Sequence, residues 1–170
     1  MSVTFNRKGV MRMKKGFFIV FFMLVSVFAF AKSHEYNLKE DFQIGMEKSV
    51  FEDEMNRLGW KVVSRSDVSY TLVKENEYFN GIKVNLISVA FTDDKLSVFA
   101  IVFLPDIKEQ ALFIDYYTKF SNSNYAKLSK TYEKHNCINY CFVDKKGYTL
   151  TFSIPNTNDS KYYAITCAGK

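Results

Sequence analysis

Apolar residues at Met46, Val50, Phe51, Met55 and Leu58 recur at the spacing of one helix face, which predicts the first element of the chain. Glu47 stands in the first turn and Arg57 in the last, where each charge opposes the helix dipole, and Gly59 is placed to stop the helix. The period then shortens. Residues 60–64 and 68–74 read as two short strands separated by Arg65-Ser66-Asp67. The clearest sheet signal runs over 82–104, where two β-rich stretches flank the turn tetrad Thr92-Asp93-Asp94-Lys95. Folding across that turn sets Phe91 against Leu96, Val89 against Val98 and Ile87 against Ala100. The other side sets Leu86 against Ile101 and Val84 against Phe103. Both faces of this hairpin are then apolar, so both are expected to be at least partly covered.

Pro105 ends the hairpin and Asp106 opens a second helix, with Ile107, Ala111, Ile114 and Tyr117 on one stripe and Leu112, Tyr116 and Phe120 beside it. Ser121-Asn122-Ser123-Asn124 breaks the pattern. A cap at Ser123 or Asn124 predicts a further short helix bearing Tyr125, Leu128 and Tyr132. Three strands, near 138–144, 147–154 and 161–167, close the chain. The predicted fold is α+β, an antiparallel sheet with helices packed on one face, in the order α-β-β-β-β-α-(α)-β-β-β. The halves 42–104 and 106–167 each run helix then sheet, as a duplication would leave them, although their direct self-similarity is faint.

The segment before this domain has a different character. Residues 1–15 carry Arg7, Lys8, Arg12, Lys14 and Lys15 and no acid; residues 17–31 are apolar except for Ser26; Ala29-Phe30-Ala31 closes the run. These are the three parts of a secretory signal peptide, with cleavage expected between Ala31 and Lys32. The competing reading is an uncleaved anchor, but a helix of this run would reach only about 22 Å of a hydrocarbon core roughly 30 Å thick. The expected organisation is a signal peptide at 1–31, a flexible lead-in at 32–41 and a single domain at 42–170. No Cys follows the apolar run, so the expected product is periplasmic or secreted and not a lipoprotein. It would touch the membrane only transiently, through the signal peptide.

Removing that leader changes the charge. The whole chain has 23 basic and 18 acidic residues, and the five bases before residue 32 account for the entire excess. The remainder is electrically neutral and gives no support to nucleic-acid binding. Its partner is expected to be another envelope or extracellular protein.

Catalytic chemistry is not visible. The chain has no G-x-S-x-G, H-E-x-x-H, P-loop or G-x-G-x-x-G. Glu52-Asp53-Glu54 reads as the wet side of a helix, and Asp93-Asp94 as a hairpin tip. His135 and Cys137, with Cys141 as a third ligand, fall short of a structural metal site. No catalytic residue, no metal and no cofactor is expected. Cys137, Cys141 and Cys167 read first as small buried hydrophobes. Pairing the last three strands as simple hairpins sets Cys141 against Leu150 and Cys167 against Tyr148, with all three sulfurs on one face. A bridge from Cys167 to Cys137 or Cys141 stays open if the strands are ordered otherwise. Adjacent aromatics cannot both face one core. Tyr78-Phe79, in a predicted loop before Asn80-Gly81, is the preferred binding feature, since tyrosine-rich surfaces favour protein contacts.

Phe42-Gln43-Ile44-Gly45-Met46-Glu47, followed by Val50 and Leu58, resembles the helix opening of small exported bacterial proteins of the SmpA/OmlA type and the β-lactamase-inhibitory-protein type, over about 20 residues. The resemblance implies helices against one face of an antiparallel sheet. Two departures stand out: no lipobox Cys is present, and Gly59-Trp60-Lys61 replaces the usual Gly-x-Pro. No functional residue is carried over. The expected function is therefore that of an exported, non-catalytic protein-binding or envelope-associated domain. A small apolar-ligand carrier and a hydrolase with dispersed catalytic residues are the alternatives.

Overall fold

In the computed structural model, residues 42–157 and 161–169 are described. The expected leader, the lead-in and the Ala31–Lys32 junction lie outside them. Helix α1 (Lys48–Arg57) is followed by strands β1 (Lys61–Arg65), β2 (Ser69–Val73), β3 (Tyr78–Phe79), β4 (Ile82–Thr92) and β5 (Lys95–Phe103). Helix α2 (Ile107–Ser121) then leads to β6 (Ala126–Lys134), β7 (Cys137–Asp144), β8 (Thr149–Pro155) and β9 (Tyr163–Ala168). The protein is mostly sheet, an α+β fold whose nine strands form one open antiparallel sheet. The order is β1-β2-β4-β5-β9-β8-β7-β6, with β3 beside β4. Among the described residues, no helix is long and apolar enough to cross a membrane.

Turn chemistry sets the hairpins. Asn80-Gly81, Asp93-Asp94 and His135-Asn136 each place two successive residues at φ between 50° and 79°. That is the geometry of the two-residue turn whose twist matches paired strands, and Asn, Asp and Gly tolerate it best. His135 is thus a turn residue. Tyr78-Phe79 is a strand of the first of these hairpins, not a loop.

The expected third helix is strand β6. Tyr125, Leu128 and Tyr132 have the three-and-four spacing of a helical stripe, but in β6 a bulge between Leu128 and Lys130 inserts one residue into the two-residue alternation. Leu128 pairs with Phe142 and Tyr132 with Asn139, so the two lie on opposite faces of the sheet. Among the described residues, five strands precede α2 and four follow it, against the four and three expected.

Two more bulges decide which side of the sheet is heavy. Phe91 does pair with Leu96, and Val84 with Phe103. Between them the register is shifted by one, setting Val89 opposite Phe99 and Ile87 opposite Ile101. Ser97 is the extra residue on β5, its Oγ donating to the Ala90 carbonyl at 3.1 Å, and Asn85 is the extra residue on β4. The two shifts cancel at the ends, where the expected pairing holds. In the middle they turn Phe99 and Ile101 onto the face of Val89 and Phe91, and turn Val98, Ala100 and Val102 onto the other. The expected pairings of Val89 with Val98, Ile87 with Ala100 and Leu86 with Ile101 fail for this reason, while the second face keeps Leu86, Val98, Ala100 and Val102 half-buried.

Rings of both helices meet the heavy face. Phe51 of α1 lies 5.3 Å from Phe91, and Phe42, just before α1, lies 5.7 Å from Phe99. Phe113 of α2 lies 5.7 Å from Phe103 and 6.2 Å from Phe152. Phe51, Phe99, Phe103, Phe113 and Phe152 are all fully buried. Each such ring stabilises the fold by about 1.5–3 kcal/mol relative to exposure. Helix α2 is fixed at its start by a capping box: Asp106 Oδ1 accepts from the amides of Lys108 and Glu109, and Glu109 Oε2 accepts from the Asp106 amide. The second oxygen of Glu109 accepts from the Lys83 amide at 2.9 Å, tying α2 to β4.

Candidate functional site

Residues paired directly across antiparallel strands share a face, so the register itself lists the side chains opposite the aromatic core. One row across β2, β4, β5, β9, β8 and β7 reads Thr71, Ser88, Ala100, Thr166, Thr151 and Cys141. The next row reads Ser69, Ala90, Val98, Ala168, Thr149 and Val143. Every side chain in these rows is small or β-branched, and none is charged. Most are half-buried by their neighbours on the pleat; Cys141 is buried. The face is thus low in relief, made of methyls and short hydroxyls.

Asn139 sits within this face at 7% exposure. Its Nδ2 donates to the Cys137 carbonyl at 3.1 Å and the Tyr132 carbonyl at 3.4 Å, and its Oδ1 accepts from Ser153 Oγ at 2.6 Å. Donors and acceptor are engaged, so the amide locks β6, β7 and β8 together without presenting an idle polar group. Sequence reasoning passed over both residues; the signal lay in the alternation of Cys137, Asn139 and Cys141 along one side of β7.

Charge enters at the rims and at the β4–β5 turn, where Lys95, paired with Thr92, lies 3.4 Å from Glu47. Lys127, Lys130 and Lys134 on edge strand β6 pair with Val143, Cys141 and Cys137, which puts all three on this face. Lys61 pairs with Val73 at the other edge, and Lys83 pairs with Tyr78. All five rim lysines are exposed, and none has a carboxylate within ion-pair distance among the described residues. Lys130 Nζ lies 5.3 Å from the centre of the Tyr132 ring. No Asp or Glu occupies a strand position on this face. The helices differ: Glu54 pairs with Arg57 on α1 and Asp115 with Lys119 on α2, each at 2.6 Å.

The two residues expected to bind are split by the sheet. Phe79 pairs with Ile82 and packs inward, its ring 6.2 Å from Phe103 and 5.4 Å from Tyr116. Tyr78 pairs with Lys83, is 54% exposed, and belongs to the small-residue face. Tyr132, 39% exposed, belongs to the same face at its other edge.

The remaining candidate chemistry is dispersed. The loop after β7 is one residue longer than expected, so Cys141 pairs with Thr151 and changes face; β9 is displaced by two residues against β8, so Cys167 pairs with Leu150 and keeps its face. Cys167 is therefore on the aromatic face, Cys137 and Cys141 are on the other, and no disulfide joins them. Burial, with a smaller effect of the Asp144 charge, pushes the Cys167 thiol up to about 11, leaving it protonated and unreactive at neutral pH. Glu52 accepts a short hydrogen bond from the Tyr70 hydroxyl and pairs with Arg65 at 2.5 Å. The hydrogen bond from the Tyr70 hydroxyl holds the Glu52 carboxyl below its ordinary range; burial opposes it, and the Arg65 charge adds a smaller lowering effect. The Arg65 guanidinium lies 4.4 Å from the Tyr70 ring centre, so the cluster pins the β1–β2 edge to α1. Among the described residues, no group of three His, Cys, Asp or Glu stands at metal-binding distance. Among the described residues, clefts of about 820, 610 and 530 Å³ open to solvent; the first, lined by Lys61, Val73, Glu75, Lys83, Asn85 and Glu109 among others, lies at one end of the small-residue face.

Comparison of the chain with family models, with characterised proteins and with solved structures returns no match.

Proposed function

We propose that this chain is an exported, non-catalytic binding domain that meets another envelope or extracellular protein through the small-residue face of its sheet. The helices serve as the backing of that sheet, leaving its other side as the working surface. The observation that carries this reading is the absence of charge from the centre of a face six strands wide. A face kept for water alone would be expected to alternate with Lys, Glu and Gln. Uncharged cores with polar rims are the anatomy of protein interfaces, and low relief lets a partner approach closely. Tyr78 and Tyr132, at opposite margins, are the aromatic anchors of the reading. Export rests on the leader at 1–31, with Lys32 as the first residue of the working protein.

The test is a Thr166→Arg substitution in the full chain, expressed in its own cell. Thr166 stands mid-row, and a long cation there blocks close approach without entering the aromatic core. Wild-type protein is expected to migrate on native gels in a complex larger than the monomer. The T166R protein is expected as monomer, with an unchanged melting temperature. Identical migration of the two, or a monomer in both cases, overturns the reading, as does a co-purifying lipid in place of a protein.

A further inference from the structure

We infer that the partner presents a protein surface with two separate groups of acidic side chains flanking an uncharged middle. This rests on the small-residue face being the docking surface, and it follows from where that face keeps its charge. Lys127, Lys130 and Lys134 form one rim on β6. Lys83 and Lys61 form the other, on β4 and β1. At about 4.8 Å per strand, Lys83 stands roughly 24 Å from the β6 rim and Lys61 roughly 34 Å. Thr166, Thr151 and Ala100 occupy the space between, with no cation among them.

Two features give these lysines a meaning beyond solubility. First, they outnumber the acids near them: among the described residues no acid holds a strand position on their face, none lies within ion-pair distance of these five lysines, and Glu47 is engaged with Lys95 at the β4–β5 turn, although residues 32–170 hold as many acids as bases. The field on this side is positive and would steer an acidic partner. Second, they are divided. A polyanion carries charge continuously, in duplex DNA one per about 1.7 Å of axis, and would lay uncompensated charge across the methyl-lined centre. A second copy docked face to face would bring lysine rims against lysine rims. An acidic-rimmed protein with a neutral middle satisfies both the charge and its gap.

The experiment places a photoreactive benzoylphenylalanine in place of Thr166 and, separately, of Lys119 on α2, in the full chain exported by its own cell. Irradiation is expected to give a protein adduct from position 166 and none from 119. The captured protein is then purified, bound to the unmodified chain and treated with a carbodiimide, which joins lysine to carboxylate at zero length. Links are expected from Lys127, Lys130 or Lys134 and also from Lys61 or Lys83. Affinity is expected to fall at least about tenfold between about 50 and 500 mM NaCl, and by a similar factor in K127Q/K130Q/K134Q. If that triple variant does not fold, K61Q/K83Q is read on the opposite rim. A partner captured at 166 without lysine–carboxylate links or salt dependence overturns the inference and leaves the docking face standing. A polyanion, or a second copy of the chain, as the adduct also overturns the inference. No adduct at 166, or equal adducts at both positions, overturns the docking face as well.

Discussion

Tyr70 is buried to its ring, yet its hydroxyl reaches the Glu52 carboxylate at the margin of the fold. That contact makes stability depend on acidity in a predictable direction. The folded state holds Glu52 below its ordinary value of 4.5. The contribution is therefore complete above that value and is lost as the pH falls through the lower, folded value. Urea unfolding of wild type and Glu52→Gln is expected to differ at pH 7, with the difference shrinking as the pH is lowered progressively below 4.5; a difference that does not change with pH would contradict the assignment. Carboxylate and tyrosine are far apart in sequence, and a helix's wet side gave no hint that one of its acids meets a core ring. The Tyr78-Phe79 pair was legible as one residue in and one out, because neighbours on a strand cannot share a face. Asn139 was not, since a polar residue's burial depends on Ser153 arriving beside it from another strand.

At the scale of elements, the capped helix and the tight hairpins were readable because their determinants are local. Asp106 and Glu109 cap α2 three residues apart, and Asp93-Asp94 turns β4 into β5. Bulges are not local in that way: nothing in the residues around Ser97, Asn85 or Ser129 announces an extra place in the ladder. Each is fixed by the partner strand, and each misled the sequence reading, most visibly in β6. The His135-Asn136 turn supplies the check. Asn136, at φ 57°, is expected to accept glycine with little loss or a small gain in stability. Asn136→Val is expected to cost about 1–2 kcal/mol in chemical unfolding, as a β-branched residue is strained there. Equal stability of the two variants would contradict a hairpin at this position.

For the whole molecule, the strand order reads as two meanders, each preceded by a helix, that meet where β5 runs antiparallel to β9 and Ile101 pairs with Ile165. The expected order of helix then sheet in each half was visible in the pattern; the joining edge was not, since strands so distant in sequence pair only through the finished fold. That join creates the broad small-residue face, placing Val98, Ala100 and Val102 beside Ala168, Thr166 and Ala164. The most direct measurement is hydroxyl-radical footprinting of the protein in its native envelope and again after purification. The account predicts that Val98, Val102, Tyr78 and Tyr132 lose reactivity in the envelope, while exposed Leu112 and Ile114 on α2 keep theirs. Equal reactivity of both sets in the two states, or protection confined to the helices, would contradict it.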